Sequence, residues 1–153
     1  MDENLSITNK TKGKLPRLPF LDLKNDILGK KYVLSIALVS EATSKKINNQ
    51  YRQKDKPTNV LSFALSKNEG ELVICPSVIK KQIKKFDRSF DELFGFLVIH
   101  GMLHLIGHEH SSKIGEARME REENKYDQKY FYRNRRRLGY DQSRSGRVFK
   151  GRK

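Results

Sequence analysis

One segment of the chain must form a helix that the rest of the protein encloses. Residues 93–106 are apolar on nearly every side of a helical projection, and Ser89 and Glu92 just before them form the Ser-x-x-Glu pattern of a capping box. Gly107 follows, at a position where helices commonly end. The stretch is shorter than the ~20 residues of a transmembrane helix. We therefore expect a buried helix at the centre of the fold.

The flanking sequence carries both strand and helix patterns. Strand patterns lie at residues 5–8, 32–39, 60–65 and 72–75. Further helix patterns lie at residues 20–28, 40–51, 76–85 and 113–135. The turn between the last two strands is short, so we expect these strands to pair antiparallel. In the last helix Met119, Tyr126 and Tyr130 share one face, which favours core packing over a ligand site.

Positive charge is concentrated near the C-terminal end of the chain. The 32 Lys+Arg and 18 Asp+Glu give a net charge of +14, of which residues 133–153 carry +8 and residues 1–132 carry +6. We divide the chain into a domain, 1–132, and a basic, flexible tail, 133–153, and expect anionic partners. The RNA-binding cations of the tail would be Arg133, Arg135, Arg136, Arg137, Arg144, Arg147, Lys150, Arg152 and Lys153.

The N-terminal sequence and the single cysteine exclude several classes of protein. Residues 1–4 show no basic and apolar pattern of a secretory signal, so we expect a cytoplasmic protein that does not engage membranes. Cys75 has no partner for an internal disulfide, and it follows the apolar run Leu72-Val73-Ile74. That setting predicts a small buried hydrophobe and disfavours a catalytic thiol.

The four histidines of the chain all lie between residues 100 and 110. On a helix His100 and His104 are one turn apart, so both imidazoles can reach one metal ion. The alternative is a pair of core histidines satisfied by hydrogen bonds. Two histidines at this spacing inside an apolar helix favour metal binding, because each neutral ring must find a buried partner.

Gly107 can end the helix in a left-handed turn and bring His110 back toward the first two rings. Three imidazoles would hold one Zn²⁺ at about 2.0–2.1 Å and leave the fourth tetrahedral position for water, as in catalytic zinc sites. A closed structural site with a fourth protein ligand is the alternative. Because Gly107 interrupts the helix, we assign His108 to the pocket lining or the second shell.

The spacing His-x3-His-x2-Gly-x2-His resembles the metzincin metalloproteases, but one position differs. Those proteases carry a general-base Glu directly after the first histidine, and here that position is Gly101. Peptide hydrolysis by that mechanism is therefore disfavoured, whereas a metal-bound water can still serve phosphodiester cleavage. A glycine inside a helix lowers the stability of the helix by about 1 kcal/mol relative to alanine. Its use indicates that space beside the metal matters.

Three motifs together resemble the YbeY family of rRNA-maturation endoribonucleases. They are His100-Gly-x-Leu-His104-Leu-x-Gly107-x-x-His110, the run 49–63 (NQYRQKDKPTNVLSF) and the segment 70–74 (GELVI). The resemblance implies an α+β fold with a mixed sheet of about four strands packed with helices, and a central buried helix carrying the ligands. It also implies zinc held by His100, His104 and His110, and cleavage of single-stranded RNA in 16S rRNA 3′ end maturation and ribosome quality control. The partner would be the ribosome or its small subunit.

The same resemblance implies that Arg52 is the basic catalytic residue beside the metal. From the residues alone, an ordinary solvated Arg52 paired with Asp55 is the favoured interpretation. The family usually has Tyr-Asp where this chain has His108-Glu109, and Asp where it has Glu71. We therefore expect a changed second shell that includes Glu109 and Glu71.

Two other functions are compatible with the sequence. A noncatalytic ribosome-assembly factor could use zinc structurally and hold rRNA with its basic surface. A metal-dependent hydrolase of another substrate is the third possibility.

Overall fold

Four strands and five helices make up the part of the chain that the computed structural model describes, residues 4–107 and 112–131. In chain order they are β1 (Leu5–Asn9), α1 (Phe20–Ile27), β2 (Val33–Leu38), α2 (Glu41–Arg52), β3 (Val60–Ser66), β4 (Glu69–Ile74), α3 (Pro76–Phe86), α4 (Phe90–Leu105) and α5 (Lys113–Tyr130). The elements form a single α+β domain, and each lies where a sequence pattern predicted it.

The four strands form one mixed sheet in the order β1-β2-β4-β3. β2 pairs parallel with β1 and with β4, whereas β3 pairs antiparallel with β4. The antiparallel hairpin and the mixed four-stranded sheet are both confirmed. β3 is an edge strand of this sheet, and its position decides the shape of the site described below.

The apolar helix α4 is the centre of the fold, as its pattern predicted. It packs on β3 and β4 and is enclosed by α1, α3 and α5. Side chains all round it, including Phe94 and Leu97, have no exposed surface. Ser89 accepts a hydrogen bond from the backbone N–H of Glu92, and the Glu92 carboxylate accepts one from Ser89, so the capping box is present.

Helix α5 covers α4 with the predicted face, but it ends earlier than predicted. Met119 and Tyr126 are buried, which confirms core packing. The helix ends at Tyr130 rather than at Arg135, and the ring of Phe131 there packs on Gly95 of α4. A side chain at position 95 would overlap that ring, so the glycine provides the room in which α5 closes on α4.

The position of Cys75 agrees with the prediction from its sequence setting. Cys75 is buried, and burial raises the pKa of its thiol, as for a structural cysteine. Within residues 4–107 and 112–131, no helix is long and apolar enough to cross a membrane.

Candidate active site

His100 and His104 lie in the last turns of α4, with their rings facing each other. The two Nε2 atoms are 3.0 Å apart, the ring centroids are 4.4 Å apart, and the ring planes cross at 78°. His100 is fully buried, whereas His104 is partly exposed. The pair therefore presents two ring nitrogens toward one point at the boundary between the core and a surface cavity.

The carboxylate of Glu123 fixes the orientation of His100. Nδ1 of His100 hydrogen-bonds Oε2 of Glu123, and both side chains are buried. If Nδ1 donates to the carboxylate, the lone pair of the ring is on Nε2, the atom that faces His104. A carboxylate behind a histidine in this way is the usual support of a metal-binding imidazole.

Sequence reasoning missed Glu123, although its position carried a signal. Glu123 follows Met119 by four residues and precedes Tyr126 by three, so it shares the core face of α5. Asp127, one turn further on, is also buried and accepts a 2.7 Å hydrogen bond from Arg88. A charged residue in register with an apolar stripe indicates a buried partner.

The two imidazoles fit a metal of the zinc type. Two nitrogens at about 2.05 Å from a tetrahedral ion are ~3.3 Å apart, close to the 3.0 Å found between the Nε2 atoms. Across residues 4–107 and 112–131, no group of three or more His, Cys, Asp or Glu could hold a metal ion. His110, the predicted third ligand, lies outside the described residues, as do His108 and Glu109. The metzincin-like arrangement of three histidines stays a prediction.

Gly101 packs closely against the sheet, and the expectation that it also makes space beside the metal stays a prediction. A Cβ atom there would lie 2.8 Å from Cδ2 of Leu72 and 3.2 Å from Oγ of Ser62. The Ser62 hydroxyl donates a 3.1 Å hydrogen bond to the carbonyl of Gly101. The glycine thus lets α4 approach β3 and β4 closely enough to bring the histidines beside the edge strand.

Arg52 and His104 line the same cavity. It has a volume of about 260 Å³ and is bounded mainly by β3 residues and Leu105. Arg52 is partly buried, and burial lowers the pKa of its guanidinium below the usual value. Asp55, which could have been its partner, lies 3.9 Å from Lys45 instead. The structure therefore brings the predicted catalytic arginine to the predicted metal site.

The end of α2 and the loop after it place Arg52 there. Gln53 adopts a left-handed conformation, with φ of 53°, and ends the helix. Two hydrogen bonds connect Ser44 of α2 to the loop. The Ser44 hydroxyl donates one to the carbonyl of Thr58 and accepts one from the N–H of Thr58. Thr58 thus shapes the turn, and β3 begins two residues later beside Arg52.

A cationic surface continues from Arg52 along this loop. The pKa of Lys54 is lowered, first by partial desolvation and then by repulsion from Arg52 and Lys56. Cations that depress one another's pKa gain from an anionic ligand. The loop therefore adds positive charge close to Arg52.

Glu71 does not reach the histidines, which corrects its assignment to the second shell. Its neighbours on β4, Gly70 and Leu72, face α4, so alternation along the strand points Glu71 to the opposite side of the sheet. There it lines a groove together with Phe63 and Val73. The basic tail, 133–153, lies outside the described residues.

Comparison with known proteins identifies the family. A sequence model of Endoribonuclease YbeY matches residues 7–130. The chain belongs to the YbeY family. An Endoribonuclease YbeY of Francisella philomiragia is 32% identical over 133 residues, which cover 76% of this chain and 84% of that protein.

One further YbeY relative and one solved structure are also similar to this chain. An Endoribonuclease YbeY of Staphylococcus carnosus is 38% identical over 98 residues, which cover 56% of this chain and 64% of its own length. The solution structure of TM1509 from Thermotoga maritima has a TM-score of 0.57 and 30% identity, covering 81% of this chain and 87% of that one. The resemblance of the sequence motifs to the YbeY family is confirmed.

Proposed function

We propose that the protein is a zinc-dependent endoribonuclease that cleaves single-stranded RNA in 16S rRNA 3′ end maturation and ribosome quality control. The observation that carries the proposal is the cavity shared by Arg52 and His104, in which His104 also faces His100. Relatives that carry the name Endoribonuclease YbeY support the reaction class. The ribosomal role rests on the family resemblance.

His100 and His104 would hold the zinc, and His110 is the third ligand that the sequence predicts. When bound, zinc supplies a Lewis acid and a water whose pKa falls to about 7. Glu123 keeps the His100 ring in the orientation that binding needs, because its carboxylate accepts a hydrogen bond from the Nδ1–H group. No reorganisation of that buried ring is then required when the metal enters.

Arg52 would hold the phosphodiester that is cleaved. A guanidinium can donate two parallel hydrogen bonds to a phosphate and balance the charge that develops during cleavage. Its partial burial strengthens this interaction, because fewer waters compete for the guanidinium. Lys54 and Lys56 extend the positive surface along which the RNA backbone would approach.

Substitutions at Arg52 test the proposal. With zinc-loaded protein and a single-stranded RNA, we expect Arg52→Ala to lower the cleavage rate ~100-fold or more while the bound zinc is unchanged. Arg52→Lys should recover only part of the rate, because an ammonium lacks the planar pair of donors. Arg17→Ala removes an exposed cation from another surface and is the matched control. Cleavage that persists in His104→Ala would reveal a contaminating nuclease and refute the proposal.

The same proteins separate this proposal from the noncatalytic alternative. A structural RNA-binding factor would show no cleavage in the wild type, would bind RNA equally well as Arg52→Ala, and would lose binding when the tail is removed. Calorimetry of zinc binding to His108→Ala and His110→Ala tests the third ligand. Our assignment is wrong if the change at 110 has no effect and the change at 108 abolishes binding.

A further inference from the structure

A second cavity lies on the other side of the edge strand β3. It is a groove of about 610 Å³ on the side of the sheet that faces α2, and the site described above does not use it. Its floor is formed by apolar side chains of the sheet, including Val39 and Val73, and one wall is formed by Ile47 of α2. The groove is therefore an apolar surface that solvent can reach.

Two aromatic rings line this groove. The Tyr51 side chain is 60% exposed, and its ring centroid lies 5.2 Å from that of Phe63, with the planes at 66°. Phe63 supports the tyrosine from the sheet, so the tyrosine ring is held at the surface. Aromatic rings held in this way are the surfaces on which proteins stack single-stranded nucleic-acid bases.

The groove adjoins the cavity of Arg52 and His104 across the edge strand β3. Ser62 and Ala64 of β3 line both cavities. Tyr51 directly precedes Arg52 at the end of α2, so one short segment supplies a side chain to each cavity. An RNA strand that crosses the edge of β3 can therefore place a phosphate beside Arg52 and a neighbouring base beside Tyr51.

The charges of the groove favour a base over a phosphate inside it. The carboxylate of Glu71 lines the groove and would repel a phosphate, whereas it can accept a hydrogen bond from the amino group of a base. Lys10 also lines the groove and can meet the backbone. Arg52 at the end of α2, and Lys54 and Lys56 on the loop after it, are cations that suit the phosphates on either side of the bound base.

We propose that this groove binds a nucleobase of the RNA next to the cleaved phosphodiester, with the Tyr51 ring as its stacking surface and Phe63 as the support of that ring. The inference rests on the proposed function, since it assumes that single-stranded RNA is the substrate. Every base presents a π face, so stacking on Tyr51 contributes affinity for any base and helps to place the phosphate.

Binding of a short RNA to Tyr51 variants tests the groove. Variants are made in a His104→Ala background so that the probe, a fluorescein-labelled eight-nucleotide single-stranded RNA, stays intact during fluorescence anisotropy. We expect Tyr51→Ala to raise Kd about 10-fold and Tyr51→Phe to bind as tightly as the parent. Leu21→Ala removes a half-exposed apolar side chain of α1 and should leave Kd unchanged. Because Tyr51 is exposed, its variants should unfold at the parent temperature.

Abasic probes identify the contact. One base at a time is removed from the RNA probe. At one position, this removal should weaken binding to the parent about 10-fold, while binding to Tyr51→Ala, which already lacks the stacking ring, should barely change. The inference is overturned if Tyr51→Ala binds RNA with the parent Kd. It is also overturned if, at every position, removing the base weakens binding to Tyr51→Ala as much as it weakens binding to the parent. The groove would then be a surface for a protein partner. These outcomes differ from a failure of the proposed function, which would be seen as zinc-loaded wild-type protein that cleaves no RNA.

Discussion

Replacing Glu123 by glutamine tests whether a buried carboxylate prepares the metal site. Glu123 is 1% exposed, and it hydrogen-bonds Nδ1 of His100, the ring whose Nε2 faces His104. Glutamine has the same shape and retains an acceptor oxygen, but it has no charge. The substitution therefore removes the electrostatic support of the imidazole while leaving its volume in place.

The size of the effect follows from that hydrogen bond. Loss of a partner behind a metal-binding histidine weakens metal affinity 10- to 100-fold. A neutral hydrogen bond has roughly half the strength of a charge-assisted one. We therefore expect about a 10-fold rise in the zinc Kd for Glu123→Gln, or ~1.4 kcal/mol. Glu123→Ala also removes the acceptor oxygen, and its Kd should rise ~100-fold.

Competition between the protein and a chromogenic zinc chelator measures these constants. Glu122→Gln is the matched control, because it is the same substitution one residue away, where the carboxylate is 35% exposed and lies 4.0 Å from Lys125. We expect its zinc Kd to equal that of the wild type. A wild-type Kd in Glu123→Gln as well would refute the role assigned to the carboxylate.

Three further predictions concern packing, pH and charge. Gly101→Ala should lower the free energy of unfolding by ~1 kcal/mol in urea titrations, because overlap with Leu72 outweighs the gain in helix propensity; a more stable variant would contradict this. The Lys129 hydrogen bond lowers the pKa of Asp26 below 3.8, so this pair stabilises the protein above about pH 4. Asp26→Asn should therefore unfold more easily at pH 7, by no more than ~1 kcal/mol, and the difference should vanish as pH falls through the lowered pKa of Asp26; a constant difference would exclude this linkage. Deleting residues 133–153 should weaken RNA binding, flatten its dependence on salt and leave zinc binding intact, and an unchanged salt slope would rule out a phosphate-binding tail.

The sequence predicts the elements of this fold well because each has a one-sided or all-round apolar pattern. Helix α4 is apolar on all sides, and a domain of this size has room for such a helix only at its centre. The hairpin of β3 and β4 follows from two strand patterns joined by a short turn. The end of α5 was predicted less well: the helix ends at Tyr130, where the Phe131 ring packs on Gly95 of α4, and the sequence pattern does not show that contact.

The site was predicted only in part because its geometry depends on contacts between distant elements. The spacing of His100 and His104 is enough to predict that they lie one turn apart on the same face of a helix. Glu123 lies on another helix, and only the packing of α5 on α4 brings it to the ring. Arg52 became a candidate through the family motif, since an arginine at a helix end is otherwise an ordinary surface residue. Glu71 was misassigned because chain order does not show which face of a central strand meets the helix.

The most direct test of the zinc endoribonuclease proposal is the cleavage rate of single-stranded RNA as zinc is returned to metal-free protein. We predict that cleavage is absent without the metal, rises in proportion to added zinc and reaches a plateau at about one ion per chain. His104→Ala should remain inactive at every zinc concentration. Cleavage by the metal-free protein, or a rate that does not respond to zinc, would contradict the proposal.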